Sequence, residues 1–166
     1  MRIDPGSEDR ASRYANANGM DIKEYLGGGT DGDVWKTSKN TAVKVFKYER
    51  GFWNERDCYA RLAEYGVTES LDGFWIPSML GHDDDLMVVE MDLMQKPPYI
   101  IDFAKVMIDR EPDFSDEVRE EAERQGEELF GHNWPAVKSL MSALESFLIF
   151  YLDPKPGNIT FPNMPQ

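Results

Sequence analysis

From Thr41 to Phe46 apolar and polar positions alternate with a period of two, the pattern of a half-buried strand. Lys23–Leu26 and Asp33–Lys36 read as two further strands, on either side of a glycine-rich turn. The period then lengthens: Phe52, Glu55, Tyr59 and Leu62 recur at spacings of three and four, which predicts a helix from Phe52 to Tyr65 that Gly66 terminates. Ile76-Pro77 leads to a strand near Ser78–Gly81, the triplet Asp83-Asp84-Asp85 to a turn, and Leu86–Met91 to a strand with an apolar middle. Gln95-Lys96-Pro97-Pro98 breaks the chain ahead of a short β-prone run, Tyr99-Ile100-Ile101, which ends in Asp102-Phe103-Ala104. Ser115-Asp116-Glu117-Val118 has the capping-box pattern that opens a helix over 115–130, with a solvated charged face. A second helix begins at Trp134-Pro135 and carries Val137, Leu140, Met141, Leu144, Phe147 and Leu148 as a core-facing stripe. A turn-rich loop, Asp153-Pro-Lys-Pro-Gly-Asn158, precedes a last strand, Ile159-Thr160-Phe161. Residues 1–18 are small and polar and are expected to form a loose arm.

Composition narrows the functional classes. A chain of 166 residues can bury one real core or two small lobes that share one. The net charge of -13 and the lack of a dense Lys/Arg patch argue against nucleic-acid binding. Any bound nucleotide would need local cations against this overall field. Cys58 is the single cysteine, so no intramolecular disulfide is possible. Cys58, His82 and His132 are too scattered for a zinc site and read as packing or surface residues. With no leader peptide or membrane-length apolar run, a soluble, cytoplasmic protein is expected.

Three places carry possible chemistry. In Leu26-Gly-Gly-Gly-Thr-Asp-Gly-Asp-Val34, Gly27, Gly29 and Gly32 stand at positions one, three and six of a tight strand–turn–strand. Such spacing lets backbone amides close over a polyphosphate, with a lysine on the next strand reaching the same phosphates; a flexible hairpin tip is the alternative. The acidic triplet at 83–85 is either a cation site or, more simply, a solvated turn. Asp153–Asn158 holds an acid, a lysine and an amide in close sequence, although the same residues also build a proline-stiffened turn.

Taken together, these segments resemble the protein kinase fold, in a compact or truncated bacterial-type serine/threonine form that lacks the usual C-terminal lobe. Leu26–Val34 is similar to the family's glycine-rich loop and Ala42-Val43-Lys44 to its lysine strand. Glu55 lies where the lysine's helix partner belongs, with Glu64 as a weaker substitute. Leu86–Met91 resembles the strand that enters the hinge, and Asp153–Asn158 the catalytic loop. The resemblance implies an α+β fold: an antiparallel sheet lobe over 19–95 and a reduced helical lobe over 96–166, after the arm at 1–18. It also implies nucleotide contacts at Gly27, Gly29, Gly32, Val34, Ala42, Lys44 and Glu90, with Glu55 holding Lys44. Asp153 would be the general base, Lys155 would offset charge on the moving phosphate, and Asn158 and Asp102 would hold magnesium.

The implied function is an ATP-binding, magnesium-assisted phosphotransferase that acts on a hydroxyl of a protein or small molecule. A pseudokinase-like binding module and a small-molecule kinase with an acceptor pocket from residues 105–135 are the alternatives. The chain also departs from the family. Tyr151-Leu152 replaces the His-Arg that normally precedes the catalytic aspartate, and the sequence stops eight residues after Asn158, before any downstream Asp-Phe-Gly or peptide-binding lobe. A partner protein is one possible source of that lobe. The missing motif has a separate candidate in a compact, rewired order, in which Asp102-Phe103-Ala104 replaces Asp-Phe-Gly from upstream. Tyr99–Ile101 would then pair with Ile159–Phe161 and bring Asp102 near Asn158. The alternative makes Asp102 an N-cap or loop residue.

Overall fold

A computed structural model of the chain describes residues 3–163. In chain order it contains α1 (Ser7–Ala17), β1 (Ile22–Gly28), β2 (Gly32–Thr37), β3 (Thr41–Phe46), α2 (Glu49–Glu64), β4 (Ser70–Leu71), β5 (Phe74–Trp75), β6 (Met79–Asp83) and β7 (Val88–Asp92). There follow β8 (Tyr99–Ile100), β9 (Val106–Ile108), α3 (Asp116–Phe130), α4 (Trp134–Glu145), β10 (Ile149–Tyr151) and β11 (Ile159–Thr160). The first half is a five-stranded antiparallel sheet in the order β1-β2-β3-β7-β6. The second half is mainly helical, so the fold is α+β, the class expected. No helix among the described residues is long and apolar enough to cross a membrane.

Central β3 is the best-covered strand of the sheet because helices pack on both of its faces. Lys44 and Phe46 point toward α2, where Phe46 meets Phe52 with ring centroids 5.8 Å apart. Val43 and Val45 point the other way and join Ala11, Tyr14 and Ala15 of α1 in a second core with Trp35 and Val88. Over Ser7–Ala17 that second core corrects the expectation of a loose arm; residues 1 and 2 lie outside the described residues. Ser7, Ala11, Tyr14 and Ala15 are all buried and recur at helical spacing, so a narrow stripe, small except for Tyr14, docks on the sheet. Trp35 Nε1 donates to Ser7 Oγ (3.2 Å), and Arg10 donates to the Phe46 and Leu86 carbonyls at 2.9 and 3.1 Å.

Helix α2 begins three residues earlier than predicted, directly after the short Lys47-Tyr48 link. Strand β7 starts later than expected because Leu86 and Met87 close a turn: Asp83 Oδ1 accepts the Leu86 amide, and Met87 has φ 51°. Asp84 pairs with Arg56 and His82, so the acidic triplet is a structural turn. The predicted Ser115 cap is present, accepting the Val118 amide at 3.4 Å. The apolar stripe of α4 ends sooner than predicted. Phe147 and Leu148 lie beyond the helix, and Ile149–Tyr151 forms β10, paired antiparallel with β9.

Candidate functional site

A cavity of about 480 Å³ lies between the sheet and the helical half. Its roof is the turn from Gly27 to Gly32 together with Val34 and Ala42, its back wall is Met91–Met94, and its floor is Ile101, Asp102, Lys155, Gly157 and Asn158. The turn stays tight because β2 approaches β3 closely: a Cβ at Gly32 would collide with the Val45 carbonyl. Gly27 adopts φ +143°, a backbone state that side-chain-bearing residues rarely occupy. Lys47 anchors the tip by donating to the Gly29 carbonyl at 2.6 Å.

Lys44 reaches into the cavity from β3, where its amine lies 2.5 Å from Glu55 Oε2 and 3.3 Å from Asp102 Oδ1. The short Lys47-Tyr48 link swings α2 across the strand at the distance this pair requires. Burial works against charge on Lys44, but the two carboxylates outweigh it and raise its pKa. Glu55 is fully buried behind the lysine. Burial pushes its carboxyl up, to about 7, while Lys44 pulls the other way.

Asp102 arrives in the cleft through the expected pairing of the runs at Tyr99 and Ile159. Strand β8 runs antiparallel to β11, with Ile100 opposite Ile159 and Tyr99 opposite Thr160, and the Ile101 amide donates to the Asn158 carbonyl at 3.0 Å. Asp102 and Asn158 therefore line the same floor although 56 positions separate them in the chain. Phe103 is buried between Tyr59 and Tyr151, with centroids at 5.3 and 5.9 Å, which fixes the side of the backbone that presents Asp102. Tyr151 stands where the resemblance expects histidine. Its hydroxyl donates to the Asp102 carbonyl at 2.7 Å and so joins the loop at 153–158 to Asp102.

Asp153 does not itself line the cavity but adjoins it through Lys155 and Asn158, which do. Its Oδ2 has Lys155 Nζ at 2.8 Å and Lys105 Nζ at 3.2 Å, and Asn158 Nδ2 donates to its backbone carbonyl at 3.1 Å. Burial opposes its charge, but the hydrogen bonds from the two lysines win and lower its pKa. Asp102 behaves alike: burial would raise it, and Lys44 holds it below the ordinary range. A depressed folded-state pKa adds stability above the unfolded value, which is lost as pH falls through the folded one. Wild-type stability to urea is therefore expected to drop as pH falls through and below the ordinary carboxylate range, and Asp102→Asn to flatten that drop. An identical acid profile in the variant would contradict the Lys44–Asp102 assignment.

The oxygen donors on the floor fit a hard divalent cation. Asn158 spends its amide nitrogen on Asp153, which leaves its carbonyl oxygen for a ligand, and Asp102 adds a carboxylate. No group of three or more His, Cys, Asp or Glu side chains that could hold a metal occurs among the described residues. A cation here would draw its other ligands from phosphate and water, which suits magnesium.

One expected contact is corrected. Glu90 does not line the cavity: its Oε2 accepts from Tyr14 at 3.0 Å and its Oε1 from Thr41 at 2.7 Å, on the α1 side of the sheet. The cavity-facing residues at this point are Met91, Asp92, Leu93 and Met94, which the sequence reading did not assign. Lys105 was also missed, although it directly follows Asp102-Phe103-Ala104.

No protein-family model matches the chain, and no curated protein matches it by sequence. Among solved structures, the gentamicin complex of APH(2″)-IIa is similar at a TM-score of 0.44 and 16% identity, over 95% of this chain and 42% of that one. The streptomycin–ATP ternary complex of APH(2″)-IIa is similar at 0.41 and 18%, over 57% of this chain and 30% of that one. This chain thus spans less than half the length of either structure.

Proposed function

We propose that the chain is an ATP-dependent phosphotransferase that moves the terminal phosphate of the nucleotide to a hydroxyl acceptor, either a small molecule or a protein side chain. The observation that carries this reading is the convergence of the glycine turn, the Lys44–Glu55 pair, Asp102 and the Asp153–Asn158 loop on one cavity. A scaffold has no physical need for that set, because Lys44, Glu55 and Asp102 are costly to bury together.

In this reading the base lies in the apolar slot between Val34, Ala42, Met91 and Leu93, with its phosphates under the glycine turn. Lys44 holds the inner phosphates, and Glu55 and Asp102 hold Lys44. Asp102 and the Asn158 carbonyl would hold magnesium, which when bound neutralises phosphate charge. Asp153, kept ionised by Lys155 and Lys105, orients the acceptor hydroxyl and takes its proton as the new O–P bond forms and the bond to the bridging oxygen of ADP breaks. Lys155 offsets the charge on the transferring group. The geometry does most of the work, since phosphoryl transfer depends on positioning and charge neutralisation.

The first test is thermal unfolding with ATP and magnesium. At about a hundredfold excess over the dissociation constant, the wild type is expected to gain roughly 2–3 kcal/mol. No shift in the wild type, or the same shift in Lys44→Ala, would overturn the nucleotide site.

A further inference from the structure

Lys105 lines a second cavity that adjoins the first at Asp31, and the proposed reaction gives it no contact with substrate. Its backbone carbonyl accepts the Leu152 amide at 3.0 Å, which fixes it beside the residue before Asp153. Its amine lies 3.2 Å from Asp153 Oδ2 and 3.7 Å from Asp31 Oδ2. Asp31 belongs to the glycine turn and lines the cavity roof. One ammonium therefore bridges the glycine turn to the carboxylate of Asp153, beside the first cavity.

Asp153 does not need this second cation. Lys155 already sits 2.8 Å from the same oxygen and is sufficient to balance one carboxylate. The second lysine is balanced by Asp31, 3.7 Å away, a carboxylate that phosphate oxygens can replace. That lysine lies between the glycine turn and Asp153, where a terminal phosphate must sit if the nucleotide reading above is right. Lys105 is also loosely held on the side of Asp31. Its side chain is 41% exposed, and its pairing with Asp31 is long, so exchanging that carboxylate for phosphate oxygens strips little packing. A lysine suits such an exchange, being a compact charge on a flexible stem.

We infer that Lys105 is a third cation of the transfer site: its ammonium leaves Asp31 for the terminal phosphate of the bound nucleotide and holds that group over Asp153. The inference rests on the proposed nucleotide site, and the two can be separated by experiment. The binding of ADP and of a non-hydrolysable ATP analogue, both with magnesium, is measured by calorimetry for the wild type, Lys105→Met and Asp31→Asn. The wild type is expected to favour the triphosphate. In Lys105→Met that preference should fall about tenfold through loss of a charge-assisted hydrogen bond, with ADP affinity unchanged. Asp31→Asn, which releases Lys105 and removes a carboxylate from the cavity roof, should keep or strengthen the preference.

Retention of the preference in Lys105→Met overturns the role of Lys105 and leaves the nucleotide site standing. So does an equal weakening of both nucleotides, or an Asp31→Asn variant that copies Lys105→Met, since each makes Lys105 merely a latch on the turn. A wild type that binds neither nucleotide overturns the site and this inference with it.

Discussion

Asp153→Asn is expected to lower phosphate transfer by about 10²–10⁴-fold, the usual contribution of a positioned general base. Turnover can be followed as ATP hydrolysis with water as acceptor, which needs no knowledge of the natural substrate. The change is nearly isosteric, and the Asn158 hydrogen bond to the residue 153 carbonyl survives because that acceptor is backbone. An amide cannot take a proton, however, and it no longer offers Lys155 and Lys105 a carboxylate partner. ATP affinity should therefore be unchanged or slightly tighter, since both lysines become available to phosphate. Loss of transfer with intact binding is the signature of a chemical role. Unchanged turnover in the variant, or none in the wild type, would remove the catalytic reading and leave a nucleotide-binding module.

Much of this site was legible because its determinants are local. The turn from Gly27 to Gly32 requires glycine at Gly32 by close approach to Val45 and favours it at Gly27 by its backbone state, and both leave a mark in the sequence. Lys44 and Glu55 sit on elements of clear period, two and then near 3.6, joined by a link too short to permit many arrangements. The pairing of β8 with β11 was also within reach, because two short β-prone runs each adjoined a chemically informative residue, Asp102 or Asn158.

What escaped the sequence reading is tertiary. Residues 7–17 are polar on average, and averaging hides Ser7, Ala11, Tyr14 and Ala15, which share one face and bury almost completely. Missing α1 led directly to misplacing Glu90. An acid on the strand entering the hinge looks like a site residue until Tyr14 and Thr41 are found to satisfy it from the opposite face. Strand β10 was lost for a related reason. Phe147 and Leu148 continue the helical stripe in apolar character, and only Leu148, at φ 58°, shows that the chain has already turned. Lys105 carries no periodic signal, and its significance depends on Asp31 and Asp153 meeting it in space.

Lys44→Met is expected to separate what the buried pair does for stability from what it does for binding. The lysine is 6% exposed and the Glu55 side chain fully buried, with Glu55 Oε1 lacking any hydrogen-bond partner. Removing the amine leaves that carboxylate without its counter-charge, and breaking a buried pair from one side costs about 3–5 kcal/mol near neutral pH. The cost should depend on pH in a definite sense. Burial already holds Glu55 up to about 7, and the loss of Lys44 moves it further up. A group with a raised folded-state pKa adds stability that is full below its unfolded value and lost as pH rises through the folded one. The urea-unfolding deficit of Lys44→Met should thus be greatest at alkaline pH and shrink toward about pH 5, as Glu55 takes up its proton. Adding Glu55→Gln should recover most of the lost stability, because a neutral amide no longer buries a charge. ATP binding should not recover, since no ammonium faces the phosphates. A double variant that binds ATP as the wild type does would show that Lys44 only braces the fold, and the phosphate site would have to lie elsewhere.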